Sequence, residues 1–166
     1  MVTSKREPRS LRLAHQSRNI QNAQSRVRLP LPAMERFLTR INRAVGLRRG
    51  ATFVRFVTHT EMTRLNRRFR KKPKTTDVLS FPSEAHATPP SLKRRTIEVR
   101  GLFLGDIAIS PTVARRNAKA SGRSISEEIC VLMLHGVLHL LGYDHETDRG
   151  QMERVEAKLR VRLGLS

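Results

Sequence analysis

The chain has 166 residues, enough for one domain with a sizeable core, and carries 33 Lys and Arg against 14 Asp and Glu, a net charge of +19. So basic a chain calls for a polyanionic partner, with nucleic acid the first candidate, and no apolar run approaches the ~18 residues of a membrane span. The single cysteine, Cys130, excludes a disulfide framework and points to a reducing compartment, a bacterial cytoplasm first and an organelle matrix as the alternative.

In chain order, residues 1–17 read as a flexible basic extension, and the fold is expected over 18–166. A short strand is expected around Asn19 to Ala23. A helix over 33–46 follows, with Pro32 near its start and Met34, Phe37, Leu38, Ile41 and Val45 on one face. Ala51 to Thr58 alternates β-branched and aromatic residues as a strand does. Thr60 is expected to cap a helix over 61–71, stopped by Pro73. Val78 to Pro82 reads as a strand, residues 83–96 as a loop, and 102–110 as a central strand. Pro111 opens a helix to Ala120. Ser124 with Glu127 forms a capping box for a long helix over 125–141, and Asp148 with Gln151 caps a last helix to Leu163. The order β-α-β-α-β-β-α-α-α gives an α+β domain, a small mixed sheet of about four strands packed with about five helices.

Charge and chemistry are separated along this order. Residues 1–124 hold a net +21, whereas residues 125–166 hold five basic and seven acidic side chains, a net of −2. The second part carries His135-Gly136-Val137-Leu138-His139-Leu140-Leu141-Gly142-Tyr143-Asp144-His145. His135 and His139, four apart on a helix, share a face, and Gly142 lets the chain turn so that His145 can reach the same point. Three histidines leave a fourth position open, the arrangement of a catalytic Zn²⁺, although other divalent transition metals also accept imidazole. The skeleton is similar to that of the metzincin zinc proteases, but Gly136 stands where those enzymes carry a general-base Glu. Asp77 and Asp106 are candidate partners for the histidines' second ring nitrogens, and Asp144 could anchor the loop or act as a base. Cys130, about 140° around the helix from His135, reads as a buried thiol rather than a ligand.

The densest charge is Arg64-Leu65-Asn66-Arg67-Arg68-Phe69-Arg70-Lys71-Lys72-Pro73-Lys74, seven basic residues in eleven. Phosphate contact by Arg67, Arg68, Arg70, Lys71 and Lys72 is the expectation. With aromatics at 4% of the chain, base stacking is a minor resource.

The histidine run resembles the signature of the YbeY family, metal-dependent endoribonucleases that act in ribosomal RNA maturation. Thr76-Asp77-Val78-Leu79-Ser80-Phe81-Pro82 and Leu104-Gly105-Asp106-Ile107 resemble that family's two other motifs, in the same order. The resemblance implies one zinc on His135, His139 and His145, and cleavage of single-stranded RNA. It also implies 3′-end processing of small-subunit (16S) ribosomal RNA, ribosome quality control, and partners in the small subunit or its assembly factors. The family's Asn-x-x-Tyr-Arg pattern places its functional arginine on Arg70. Here Phe69 replaces the tyrosine and Thr75 replaces a proline. A ribosome-assembly binding factor with a structural metal is the alternative function, and a protease-like hydrolase a more distant one. Attack by water and attack by the RNA's own 2′-OH both remain open.

Overall fold

The computed structural model describes residues 19–83, 103–144 and 148–165. The basic extension over 1–17, all of the 83–96 loop beyond Ser83, and His145 therefore lie outside the described residues. Four strands, β1 (Ile20–Asn22), β2 (Thr52–Phe56), β3 (Val78–Pro82) and β4 (Gly105–Ile109), form one mixed sheet in the order β1-β2-β4-β3. β1, β2 and β4 run parallel, with Val54 paired to Ile20 and Ile107, and β3 runs antiparallel to β4 with Ser80 opposite Ile107. Parallel neighbours need crossover connections, and helix α1 (Leu31–Ala44) supplies the first, between β1 and β2. The remaining helices are α2 (His59–Arg70), α3 (Pro111–Ala120), α4 (Ile125–Leu140) and α5 (Gln151–Leu163).

Strand alternation divides the core into two clusters. Val54, Phe56, Ile107 and Ile109 face a large cluster built with α1, α4 and α5, whereas Leu79, Phe81 and Ala108 face a smaller one closed by Met62 and Leu65 of α2. α4 is enclosed on most sides, with Ile129, Met133, Leu134, Val137 and Leu138 fully buried. A helix apolar nearly all round is a core helix, and His135 and His139 lie half-buried on one stripe of it.

The expected elements are all present, with shifted edges. α1 begins at Leu31 rather than 33 because Pro32 falls inside its first turn, where proline's missing N–H leaves no bond unmade. The cap of α2 is Thr58, not Thr60: its hydroxyl accepts the Glu61 amide at 3.2 Å, so the helix starts two residues early. β4 starts at Gly105 rather than 102. The capping box on α4 is complete, Ser124 accepting from the Glu127 amide at 3.2 Å and Glu127 from the Ser124 amide at 2.9 Å. Asp148 collects the amides of Gly150, Gln151 and Met152, although Gly150 holds the cap position of α5.

Candidate metal centre

Helical spacing stacks His135 and His139 one turn apart, with ring centroids 4.7 Å apart and planes at 76°. Their Nε2 atoms turn toward each other at 3.1 Å. Two nitrogen lone pairs that close repel unless a proton or a cation lies between them. Zinc bonds of about 2.05 Å at a tetrahedral angle would set two nitrogens about 3.3 Å apart, so the pair fits a divalent ion. Among the described residues no group of three or more His, Cys, Asp or Glu side chains converges on such an ion.

The other nitrogen of His135 is held from α5. Nδ1 lies 2.9 Å from Oε2 of Glu156, and Oε1 of Glu156 accepts from the Arg160 guanidinium at 2.6 Å. A carboxylate can only accept here, so the satisfied tautomer carries its proton on Nδ1 and presents the Nε2 lone pair. Burial pushes the Glu156 carboxyl up, but hydrogen bonding and charge from His135 and Arg160 outweigh it, and the group sits below the usual carboxylate range. Glu156 thus fills the orienting role for which Asp77 and Asp106 were the candidates. The signal was available in the repeat of α5, since Glu156 and Arg160 are four apart with Met152 and Leu159 inward, but no local motif ties Glu156 to a histidine 21 residues earlier.

Asp77 does other work. Asp77 binds the Val78 amide at 2.9 Å, the Thr76 hydroxyl at 3.2 Å and Asn117 of α3 at 2.9 Å, tying the start of β3 to that helix. Asp106 is buried on the strand face opposite Ile107, turned away from α4. After α4, Gly142 takes φ +90° and its amide returns to the His139 carbonyl at 2.9 Å, ending the helix as the sequence requires. Tyr143 then packs into the core cluster, and burial with the nearby Asp148 charge raises its phenol. Cys130 is largely buried as expected, and that burial pushes its thiol up to about 11.

Gly136 has a packing reason. A Cβ there would lie 2.8 Å from Cγ2 and 3.0 Å from Cδ1 of the fully buried Ile107. The side-chain direction at this position leads into the sheet. Ser80 on β3 also donates to the Gly136 carbonyl at 3.1 Å, so the helix lies close on β3 and β4.

The sequence profile described as "Endoribonuclease YbeY" matches residues 19–164. The chain is 48% identical over 135 residues to an endoribonuclease YbeY of Solibacter usitatus, covering 81% of this chain and 80% of that protein. It is 45% identical over 129 residues to one of Koribacter versatilis, covering 78% and 74%. The chain belongs to the YbeY endoribonuclease family. The YbeY fold is also met in the solution structure of TM1509 from Thermotoga maritima, with a TM-score of 0.56, 24% identity and coverage of 87% and 88%.

The basic run lies on and after α2, which packs on the opposite face of the sheet from α4. Arg67 and Arg68 are exposed on α2, Arg70 ends it, and Lys71 at φ 55° and Lys72 follow, both exposed. Phe69 packs edge-on to Phe81 with centroids 5.0 Å apart, a contact that needs the ring and not a hydroxyl. Phe81 pairs with Asp106, next to Gly105, whose Cβ direction meets Leu140 at 3.0 Å. The basic end of α2 and the histidine end of α4 therefore share one end of the sheet, on opposite faces of edge strand β3. Asn66, four residues before Arg70, fixes this arrangement: its side chain donates to the Lys74 carbonyl at 2.5 Å, and its own carbonyl accepts the Lys71 amide.

Proposed function

We propose that this chain is a zinc-dependent, single-strand-specific endoribonuclease. It acts in the cytoplasm on ribosomal RNA, in 3′-end maturation of the small-subunit RNA and in ribosome quality control, alongside the small subunit or its assembly factors. Family membership supports the nuclease chemistry, and a charge of +19 supports a polyanionic substrate. The observation that carries the metal dependence is the 3.1 Å approach of the His135 and His139 Nε2 atoms with Glu156 holding the far side of His135.

His135 and His139 would hold the ion, with His145 the third ligand by the motif. When bound, a divalent ion there supplies Lewis-acid polarisation of water and of a phosphodiester oxygen. Glu156 keeps the Nδ1 proton of His135 in place and so keeps its Nε2 available. Arg70, at the end of α2 that shares one end of the sheet with the histidines, is the side chain the family motif assigns to the phosphate, and a guanidinium can bond two phosphoryl oxygens at once. Gly136 leaves no carboxylate at the chain position next to His135, where a peptide hydrolase of this skeleton carries its base.

The test is incubation of zinc-loaded protein with single-stranded RNA, with and without chelator, beside a His135→Ala/His139→Ala variant. Cleavage that needs metal and both histidines is expected. Wild-type protein that cuts no RNA yet binds ribosomal particles tightly would favour an assembly factor, and full cleavage by the double variant would remove the metal centre from the reaction.

A further inference from the structure

The outward side of α2 forms an open depression of about 870 Å³ lined by His59, Thr60, Thr63, Arg64, Arg67 and Arg68. Its lining falls into two adjacent rows at a spacing of four, His59-Thr63-Arg67 and Thr60-Arg64-Arg68. Glu61 is the acid of this helix, and its carboxylate is taken up by Arg64 at 2.9 Å. Arg67 and Arg68 form no ion pair among the described residues, and Arg68 lies over the Phe69 ring at 5.4 Å. The opposite side of the helix is anchored by buried Met62, Leu65 and Asn66, so the rows stand on a fixed element. Guanidinium forks beside hydroxyls, with one aromatic at the margin, suit phosphates rather than bases.

This surface is separated from the histidines by the sheet. α2 covers Leu79, Phe81 and Ala108, whereas α4 covers Ile107 on the other face, and β3 is the edge between them. We propose that the outer face of α2 is a phosphate-tracking exosite for single-stranded RNA, and that one strand engages both faces of the sheet by passing over the β3 edge. The link to the histidines rests on the endoribonuclease reading; the binding surface stands on its own charge and placement.

The test is binding of fluorescent oligouridylates of about 4 and 16 nucleotides, the scale of single-strand sites, to the full chain without added metal, so that cleavage does not intervene. Anisotropy is read over a range of salt for wild type and Arg67→Ala/Arg68→Ala, both substitutions being at exposed positions. Wild type should gain about tenfold more from the longer strand than the variant does. The number of binding registers is the same for both proteins and cancels. The variant's log–log salt slope should be shallower by about 1.4, from two lost phosphate contacts on a single strand. Equal length dependence and equal slopes in the two proteins would overturn the exosite. Failure of the nuclease reading shows elsewhere, as absence of chelator-sensitive cleavage by wild type, so either result can fall alone.

Discussion

Glu156→Ala isolates what the α5 carboxylate does for the histidine pair. In the native protein Nδ1 of His135 is fixed at 2.9 Å from Glu156, and Arg160 fixes the carboxylate in turn at 2.6 Å. Without the carboxylate the ring can take two tautomers and two flips, of which one combination presents Nε2 toward His139. Recovering that one of four costs about 0.8 kcal/mol. Loss of the charged acceptor also lowers the basicity of Nε2, and removal of such outer partners weakens metal sites about 10- to 100-fold in all. The expected loss of zinc affinity is thus about 1.4–2.8 kcal/mol. Glu156→Gln keeps an acceptor oxygen and should recover part of it. The assay is competition for Zn²⁺ against a chromophoric chelator, with circular dichroism to check the fold. The Glu156 side chain is only 12% exposed, so the fold check is needed beside the affinity measurement. Zinc affinity unchanged in Glu156→Ala would refute the orienting role.

Other substitutions probe the remaining elements. Arg70→Ala should slow RNA turnover by about 10²- to 10³-fold, as for other lost oxyanion donors, while zinc content stays at wild-type level; unchanged turnover removes Arg70 from the site. Gly136→Ala should destabilise the fold by about 1–3 kcal/mol in urea unfolding through contact with Ile107, and Ile107→Val should relieve part of it in a double-mutant cycle. Cys130, raised from 9.0 to about 11 by burial, should alkylate at pH 8 about 100-fold more slowly than a free thiol of the ordinary value, and a rate equal to that of a denatured control would contradict its burial. Glu127 is held below its ordinary 4.5 by the Ser124 hydroxyl and amide. Its cap contribution is present above 4.5 and lost as pH falls through the depressed value, so its NMR titration midpoint should lie below 4.5 and return toward it in Ser124→Ala.

Periodicity and caps carried the fold well because they are local. Val78–Pro82 and Pro111–Ala120 have the residue bounds their sequence suggests, and the Ser124–Glu127 box is self-contained within four residues. The Thr58/Thr60 difference arose because both threonines can cap, and Thr58 is the one whose hydroxyl meets the amide of Glu61 three residues on. The site was legible as far as it is written on one helix. His135 and His139 follow from spacing alone. Glu156 belongs to another helix, and its contact with His135 depends on how α5 packs against α4, which no local pattern encodes. Asp77 stands in the sequence as an acid among strand residues, yet its partners are two neighbours and Asn117, 40 residues on.

Gly136 links the fold to the chemistry. α4 lies close on the sheet because position 136 has no side chain, with Ile107 filling the space and Ser80 bonding the exposed carbonyl. A glutamate there would have to bury a carboxylate against Ile107, several kcal/mol uphill without a partner. The same glycine that permits this packing thus excludes the base of a peptide hydrolase at that position. The packing leaves the histidine stripe turned toward α5, where Glu156 holds Nδ1 of His135. A carboxylate committed in this way fixes the His135 ring and is not free to take a proton from water. Under the proposed endoribonuclease function, the nucleophile at such a centre would be a water or the RNA's own 2′-OH, with the divalent ion relieving the charge on the phosphate.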